Sequence, residues 1–407
     1  MRRGYFLKRY LMVLLLPALK LVYWLSGCFG RKSDVWVFGS YVNSFTDNSK
    51  YLFAYVTEKH PEITAVWITS SGSICETIRN AGGRVYARWS LAGVYYVLRA
   101  KFWFVSAYVS DINVHLSRNA VLVNLWHGVP LKTIEFDIQT GPLAKAFHSP
   151  TFLEKQLFNA HLFRRPEWVL STSDFVTETS FSSAFQIAAE RCLPFGYPRL
   201  DPFHWSPEET DKWLARWGNP SLRHLIKDLE KFDHVFIYMP TWRDANPSFV
   251  STIGFDFQKL NEKLKQLNGV LLMKLHIATP ASSLASVKGF ENIVVMETKD
   301  DVYPLLPSTT ALITDYSSIY IDYLCLNRPI CYFVFDLESY LSGSRGFYYD
   351  FDDVTPGAKV RTANEVTAFM GANDDESKEA RSELQTKLFK YNDGNASERI
   401  VRFFKSQ

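Results

Sequence analysis

The sequence predicts an α/β protein of two parallel-sheet domains that face each other across a cleft, with an N-terminal membrane-associating segment. Short apolar, β-favouring runs alternate with helical patterns along most of the chain, and a stretch with three prolines interrupts them near the middle. Alternation of this kind is typical of parallel sheets whose two faces are covered by helices. A chain of 407 residues is also long enough for two domains of about 200 residues each.

The first alternation covers the N-terminal half of the chain. Its predicted strands are Val35–Phe38, Ala65–Thr69, Phe102–Val105, Val121–Leu125, Trp168–Ser171 and Cys192–Phe195. Helical patterns lie between most of them, for example at Tyr51–His60 and Phe181–Glu190. The pattern predicts one complete α/β domain before residue 204.

The second alternation follows the proline-rich stretch Pro198–Pro207, which has the composition of a hinge. Its predicted strands are Val235–Met239, Val270–Leu275, Ile293–Val295, Ala311–Thr314 and Ile330–Val334, with helices near Phe257–Leu267, Val302–Leu306 and Ser318–Leu326. The predicted division is a membrane-associating segment at 1–32, a first α/β domain at 33–203, a second α/β domain at 204–386, and a C-terminal helix at 387–407 that packs back on the first domain.

The N-terminal segment combines positive charge with an apolar run. Residues 1–32 carry seven Lys or Arg and no acid, which leaves 38 basic against 42 acidic residues in the body. The run from Tyr10 to Phe29 is long enough to span a bilayer, but Pro17 and Lys20 lie near its middle, where a charge costs about 3 kcal/mol. We therefore expect an interfacial anchor with Lys20 extended towards the head groups, and keep a buried first helix and a true span as alternatives.

Charge and cysteine usage narrow the class of protein. The slightly acidic body lacks the broad positive face that nucleic-acid binding needs, whereas the basic N-terminus favours anionic lipid. Five scattered cysteines without a CxxC pair are typical of reduced thiols in a cytoplasmic protein. The sequence thus predicts a peripheral protein on the cytoplasmic face of a membrane.

Polar side chains with chemical capacity follow directly after predicted strands in both halves. His127 and Gly128 follow VLVNLW, Thr241 and Arg243 follow VFIYMP, His276 follows VLLMKL, and Asp315, Ser317 and Ser318 follow TTALIT. Ligands of open α/β sheets bind beyond the carboxyl ends of the strands. Two facing sheets would therefore direct these groups into one cleft.

The segment after Thr314 predicts an anion site. Asp315 is expected to cap a helix whose first turn contains Ser317 and Ser318, so that free N–H groups and two hydroxyls could bind a pyrophosphate. A capped helix without a ligand is the equally good structural alternative.

His127 and His276 are candidate general bases, one in each half of the chain. The alternative for each is a hydrogen-bonded structural histidine. Lys132, Lys274 and Arg243 are candidate partners for phosphate charge. The chain lacks GxxxxGK[ST], HExxH and GxSxG motifs, and no cofactor or tightly bound metal is expected.

These segments together resemble the CDP-glycerol glycerophosphotransferases of teichoic-acid and capsule polymer synthesis. The matching segments are NLWHGVPLKTIEFD (124–137), FGYPRLD (195–201), YMPTWRD (238–244), MKLH (273–276), DVYPLLPSTTALITDYSSIYIDYLCLNRPICYF (301–333) and DLESYLSGSRGFYYDF (336–351). The matches run in order from about residue 120 to 357. Two positions depart from the family pattern: Ile277 replaces a proline, and Val129 replaces a threonine.

The resemblance implies a glycosyltransferase-B-like fold of two Rossmann-like domains, with 33–203 as the acceptor domain and 204–386 as the donor domain. It implies CDP-glycerol as the donor and a lipid-linked or polysaccharide acceptor at the membrane face. It also implies that His127 and His276 form an essential pair. Donor contacts are then expected from Arg243, Thr241, Asp315, Ser317, Ser318 and Gly196, and acceptor or phosphate contacts from Gly128, Lys132 and Arg345. In the expected reaction an acceptor hydroxyl attacks the β-phosphorus and CMP leaves. His127 would accept the proton and His276 would stabilise the leaving side, or the reverse.

Three alternatives keep the same fold. The donor could be CDP-ribitol, or a nucleotide sugar used by a conventional glycosyltransferase, because one architecture supports many donors. The chain could also be a membrane-attached scaffold without activity. Release of CMP from CDP-glycerol distinguishes a glycerol-phosphate transferase from all three alternatives.

Overall fold

The structure is a computed structural model that describes residues 10–241, 243, 253–275, 279, 287, 289–338, 346–372 and 374–407. The chain divides into two compact units. The first contains Met1–Asp201 together with Phe389–Gln407, and the second contains Pro202–Leu388.

The first unit is built on a parallel sheet of seven strands. They are β1 (Lys32–Phe38), β2 (Thr64–Thr69), β3 (Arg84–Ala87), β4 (Ala100–Val105), β5 (Val121–Asn124), β6 (Trp168–Ser171) and β7 (Cys192–Pro194), in the spatial order β3-β2-β1-β4-β5-β6-β7. The central strands are rich in Val, Phe and Trp, and both of their faces are buried. Burial of both faces is why these strands appear in the sequence as continuous apolar runs.

Helices surround this sheet. They are α1 (Leu16–Ser26), α2 (Asp47–Lys59), α3 (Gly72–Asn80), α4 (Leu91–Arg99), α5 (Gly141–His148), α6 (Asp174–Val176) and α7 (Ser182–Phe185). A C-terminal helix, Ala396–Lys405, belongs to the same unit and buries Ile400, Val401 and Phe404 in its core. The Phe404 ring lies against the rings of Phe102 and Phe104 of β4, at centroid distances of 5.1 and 5.3 Å.

The second unit is built on a parallel sheet of six strands. They are β8 (His234–Met239), β9 (Gly269–Met273), β10 (Ile293–Val295), β11 (Ala311–Thr314), β12 (Ile330–Phe333) and β13 (Ala358–Val360), in the order β10-β9-β8-β11-β12-β13. Its helices are α8 (Pro207–Trp217), α9 (Pro220–Leu229), α10 (Phe257–Gln266), α11 (Ile319–Tyr323), α12 (Ala363–Met370) and α13 (Lys378–Leu388). The predicted α/β class with parallel sheets is confirmed.

Several predicted elements differ from the structure. The strands β3 and β13 were not predicted, because these edge strands are short and partly exposed and so lack an apolar run. The helix predicted at Val302–Leu306 is wrong, since that stretch forms a turn followed by a 3-10 turn at Leu306–Ser308. The helix predicted at Phe181–Glu190 is interrupted by Gln186, whose φ is +51°.

The N-terminal helix α1 exposes large apolar side chains. Leu21, Trp24 and Leu25 are 59%, 59% and 51% exposed. Lys20 was expected to extend towards the head groups, but its ammonium donates to Gln156 Oε1 at 2.6 Å. Within the described part of the chain, no helix combines the length and the apolar character that crossing a membrane requires.

Candidate active site

Each sheet has a topological switch point, where the strand order reverses and ligands of such sheets bind. In the first unit it lies between β1 and β4, and in the second unit it lies between β8 and β11. Most of the predicted site residues follow these strands or their direct neighbours, whereas Gly196 follows the edge strand β7. The two groups are described one unit at a time.

His127 follows β5 and presents an exposed ring on a loop whose other residues are buried. Trp126 and Gly128 have φ values of +49° and +138°, and Val129 is 1% exposed. A φ of +138° is rarely adopted by residues with a side chain, which explains a glycine at position 128. The loop therefore turns the histidine ring outwards while it holds its own backbone inside the unit.

Two buried side chains fix this backbone. Asn48 Nδ2 donates to the carbonyl oxygens of Leu125 and Trp126, at 3.1 and 3.0 Å. Arg199 Nη1 donates to the carbonyl of His127 at 2.8 Å and to Asp47 Oδ1 at 2.7 Å. The Asn48 and Arg199 side chains are both buried. They hold the loop at two carbonyls before the histidine and at the carbonyl of the histidine itself.

A third contact sets the tautomer of His127. Its Nδ1 lies 3.0 Å from the carbonyl oxygen of Ser106, which follows β4. A carbonyl can only accept a hydrogen bond, so Nδ1 carries the proton in the neutral ring and the lone pair is on Nε2. The exposed ring therefore offers a proton acceptor to a ligand at the switch point.

Ser106 is itself held by a buried carboxylate. Asp111 Oδ2 accepts hydrogen bonds from the backbone N–H groups of Ser106, Ala107 and Tyr108, at 3.2, 2.9 and 3.3 Å. Burial raises the pKa of Asp111 to about 6, although the three N–H groups act in the opposite direction. Ser106 Oγ also lies 2.9 Å from Ser40 Oγ, which follows β1, so residues after β1, β4 and β5 form one polar group.

In the second unit, Arg243 is the centre of a partly buried ionic cluster. Its Nη1 donates to Asp315 Oδ2 at 2.7 Å and to the Thr241 carbonyl at 2.6 Å. Its Nε and Nη2 donate to Asp336 Oδ2 and Oδ1, at 2.7 and 2.9 Å, in a two-pronged pair. Burial lowers the pKa of Arg243, but the hydrogen bonds to Asp336 and the charge of Asp315 outweigh it and raise the pKa overall.

Asp315 joins two strand ends. Its carboxylate accepts from Thr241 N at 2.9 Å, from Thr241 Oγ1 at 2.6 Å and from Tyr316 N at 2.5 Å. The expectation that Asp315 caps a helix is wrong, because its oxygens bind Thr241 and Arg243 instead. Helix α11 begins at Ile319, with Ser318 in the N-cap position.

These contacts separate two kinds of predicted donor residue. The hydroxyl of Thr241, the carboxylate of Asp315 and four N–H groups of Arg243 bind within the protein. Half-buried Ser317 and exposed Ser318 follow the same strand, and their side-chain hydroxyls have no hydrogen-bond partner among the described residues. The hydroxyls of the serine pair are therefore not engaged by the described residues, and their predicted contact with a pyrophosphate stays a prediction.

Other predicted residues lie elsewhere or outside the described part. Gly196, with φ of +82°, lies in the first unit, and its N–H donates to the Ser171 carbonyl at 3.1 Å. Lys132 is half-buried in the first unit. Lys274 donates to the carbonyls of Glu297, Thr298 and Asp300, which does not favour the predicted phosphate role. His276 and Arg345 lie outside the described residues, and the predicted cleft stays a prediction.

Sequence reasoning missed the supporting residues. Asp336 and Ser106 follow β12 and β4, so the same rule that identified Asp315 could have found them. Asn48, Asp111 and Arg199 carry no comparable signal. Among the described residues no group of three His, Cys, Asp or Glu could hold a metal ion, and the expectation that none is needed stays a prediction.

The family model described as CDP-Glycerol:Poly(glycerophosphate) glycerophosphotransferase matches residues 22–405. The chain belongs to this family. The match extends well beyond the 120–357 range of the motifs, and it confirms the predicted family together with the predicted enzyme class, a CDP-glycerol glycerophosphotransferase.

Curated relatives and solved structures agree with this membership. The chain is 28% identical to the teichoic acid poly(glycerol phosphate) polymerase of Bacillus spizizenii over 87% of both chains. It is also 28% identical to the teichoic acid glycerol-phosphate transferase of Staphylococcus aureus, over 88% of this chain and 89% of that one. Two longer poly(glycerol phosphate) polymerases, of Bacillus subtilis and Staphylococcus epidermidis, are matched over 41% and 42% of their length.

A structure of the wall teichoic acid polymerase TagF has the same fold. Its TM-score is 0.74 at 24% identity, and the match covers 98% of this chain and 96% of that one. At this identity the likeness concerns the fold alone.

Proposed function

We propose that the protein transfers glycerol phosphate from CDP-glycerol to a hydroxyl of a lipid-linked or saccharide acceptor and releases CMP, in teichoic-acid or capsule polymer synthesis. Family membership supports the reaction, and the exposed His127 with its fixed tautomer is the observation that carries the mechanism. The names of the two relatives aligned over most of their length favour glycerol over ribitol as the alditol.

In this mechanism His127 Nε2 accepts the proton of the acceptor hydroxyl as its oxygen attacks the β-phosphorus of the donor. The P–O bond to CMP breaks as the new bond forms. Ser317 and Ser318 donate to the pyrophosphate, and His276 stabilises charge on the leaving side. Phosphoryl transfer depends mainly on such positioning and charge stabilisation.

The cluster around Arg243 has a positioning role in this proposal. One guanidinium is shared by two carboxylates, so its charge is already neutralised within the protein. It connects the segments after β8, β11 and β12, and thereby fixes the loop that carries the two serines.

We also propose that residues 10–29 lie against the cytoplasmic face of a bacterial cell membrane.

The test of the base is CMP release from CDP-glycerol with a panel of acceptors. His127→Ala should reduce the rate by about 100- to 10,000-fold, as expected for loss of a general base. His148→Ala is a matched control, because His148 Nε2 also bonds a carbonyl, that of Ile138, at 3.0 Å. Full activity of His127→Ala would contradict the assignment of His127 as the base. Release of UDP or GDP from a sugar nucleotide would show that the donor is a nucleotide sugar and not CDP-glycerol.

The test of the cluster is Arg243→Lys in the same assay. A lysine cannot make the two-pronged contact, so the donor KM should rise by about tenfold or more. Arg223→Lys is the control, since Arg223 makes the same two-pronged contact with Asp211 but is 37% exposed and should contribute little. Equal effects of the two substitutions would argue against a role in donor binding.

A further inference from the structure

Beneath helix α1 lies a cavity of about 280 Å³, near the lower end of the size range of small-molecule sites. Leu16 and Leu19 of α1 form part of one wall. Leu157 and Phe163 contribute apolar surface from the segment that faces the helix. The cavity is therefore lined by hydrocarbon on two sides.

The polar part of the lining is basic. Lys20, His115, Lys155 and Arg164 contribute to it, and no carboxylate does among the described lining residues. Among the described residues, the partner of the Lys20 ammonium is the neutral amide of Gln156 at 2.6 Å. The Lys155 ammonium lies 5.4 Å from the centroid of the Phe163 ring. Arg164 pairs with Glu167 at 2.8 Å, so one of these charges has an acidic partner.

A further cation lies close to this lining, because Arg31 donates to the carbonyl of Leu116, which stands between the lining residues His115 and Ser117. Arg31 is held by the carbonyl oxygens of Val97, Ala100, Leu116 and Arg118. Burial lowers its pKa to about 10, with a further contribution from the charge of Arg164. The pKa of His115 is lowered by burial and by Lys20. Burial is the larger cause in both cases, and the positive charges of Arg164 and Lys20 add to it, so an anion bound here would favour the protonated form of each group.

Helix α1 connects the cavity to an exposed apolar surface. Leu21, Trp24 and Leu25 are each more than half exposed on the helix that also carries Leu16, Leu19 and Lys20. The guanidinium of Arg118 lies 3.2 Å from the centroid of the Trp24 ring, and its buried Nη1 has no hydrogen-bond partner in the part of the chain that the structure describes. An apolar face next to unneutralised cations matches an amphiphile with a negative head group.

We propose that this cavity binds the phosphate head group of an anionic membrane lipid, with its acyl chain between Leu16 and Leu19 on one side and Phe163 on the other. Lys20 and Lys155 donate to the phosphate oxygens, and the exposed side of α1 lies in the membrane. The inference rests on the proposed membrane position of residues 10–29. It is independent of which donor the enzyme uses.

The test is calorimetric titration of the full chain with dihexanoyl phosphatidylglycerol below its micelle concentration, so that no membrane surface is present. Wild type should bind saturably. Lys20→Gln/Lys155→Gln should bind at least tenfold more weakly, as expected for lost charged hydrogen bonds. Lys59→Gln/Lys145→Gln is the matched control, because both of its lysines are exposed in the same unit and lie outside the cavity lining.

Further measurements separate the possible outcomes. In wild type, lipid binding should raise the pKa of His115, measured from its imidazole nitrogen shifts, and this readout needs no variant. Inorganic phosphate that binds as tightly as the lipid would overturn the lipid assignment. Binding to phosphatidylglycerol vesicles without binding of the short-chain lipid would overturn the proposed lipid site in the cavity. It would leave the proposed membrane contact of residues 10–29 intact. The CMP-release assay reports separately on the proposed reaction.

Discussion

At the scale of single residues, the chemistry of His127 depends on a chain of buried contacts. The Ser106 carbonyl fixes its tautomer, and the Asp111 carboxylate holds the three N–H groups that orient this carbonyl. Asp111 is separate from His127 in sequence, and these contacts link the two only through Ser106. Its contribution to activity would therefore be indirect.

We expect Asp111→Asn to lower kcat by about 10- to 100-fold. An amide cannot accept from three N–H groups as a carboxylate does, so the Ser106 carbonyl should move away from Nδ1, and misplacement by about 1 Å can cost about 100-fold. The measurement is CMP release together with the imidazole nitrogen shifts of His127, which report the loss of the Nδ1–H tautomer.

The control is Asp174→Asn, which removes an exposed carboxylate that pairs with Lys390. It should change neither kcat nor the tautomer. An Asp111→Asn enzyme with wild-type kcat would show that the tautomer is fixed without this carboxylate.

At the scale of elements, the buried strands were predictable, whereas two of the four edge strands, β3 and β13, were not. The central strands β1, β4, β8 and β11 are buried on both faces, and the continuous apolar runs that this requires are visible in sequence. The edge strand β13 has the sequence AKV and is mostly exposed, so hydrogen bonding to β12 alone defines it. Sequence patterns record burial, and elements that are not buried leave little trace in them.

The same limit applies to the site. The rule that ligands bind after the ends of parallel strands selects His127, Thr241 and Asp315 from the order of residues along the chain. It cannot select Asn48, which meets the His127 loop across 77 or more residues, or show that Thr241 and Asp315 bind each other. Such pairings depend on tertiary contacts that no local pattern contains.

One capping contact gives a prediction about pH. Asp201 accepts from Ala396 N at 2.9 Å, Ser397 N at 3.0 Å and Ser397 Oγ at 2.6 Å at the start of the C-terminal helix, and burial raises its pKa to about 6. The folded state therefore holds this proton more tightly than the unfolded state. Stability should fall as pH rises from about 4 to about 6, by roughly 1.4 kcal/mol per unit of pKa difference.

This slope should disappear in Asp201→Asn, which does not titrate, when the free energy of unfolding is measured by urea denaturation at several pH values. Asp393→Asn is the control of opposite sign, because the hydrogen bond from Arg399 lowers the pKa of Asp393. The Asp393→Asn substitution should remove a stabilising contribution that the wild-type protein loses as the pH falls. Parallel pH profiles of wild type and Asp201→Asn would contradict the assigned pKa.

At the scale of the whole molecule, the chain leaves the first unit at Asp201, forms the second unit, and returns at Phe389. The returning segment supplies core to the first unit, since Ile400, Val401 and Phe404 are at most 1% exposed. The first unit is thus incomplete until the last residues of the chain are present. Its folding should depend on a segment that follows the entire second unit.

Deletion of residues 389–407 should consequently unfold the first unit and spare the second. Three buried apolar side chains at about 1.5–3 kcal/mol each represent about 5–9 kcal/mol, which is comparable to the whole stability of a typical domain. In scanning calorimetry we expect the transition of the first unit to disappear or fall sharply in temperature while that of the second unit persists. Arg402→Ala, at a side chain 77% exposed on the same helix, should leave both transitions in place. If the truncated chain kept both transitions, the core of the first unit would have to close without Phe404, and the buried contacts of this ring with β4 would contribute nothing measurable.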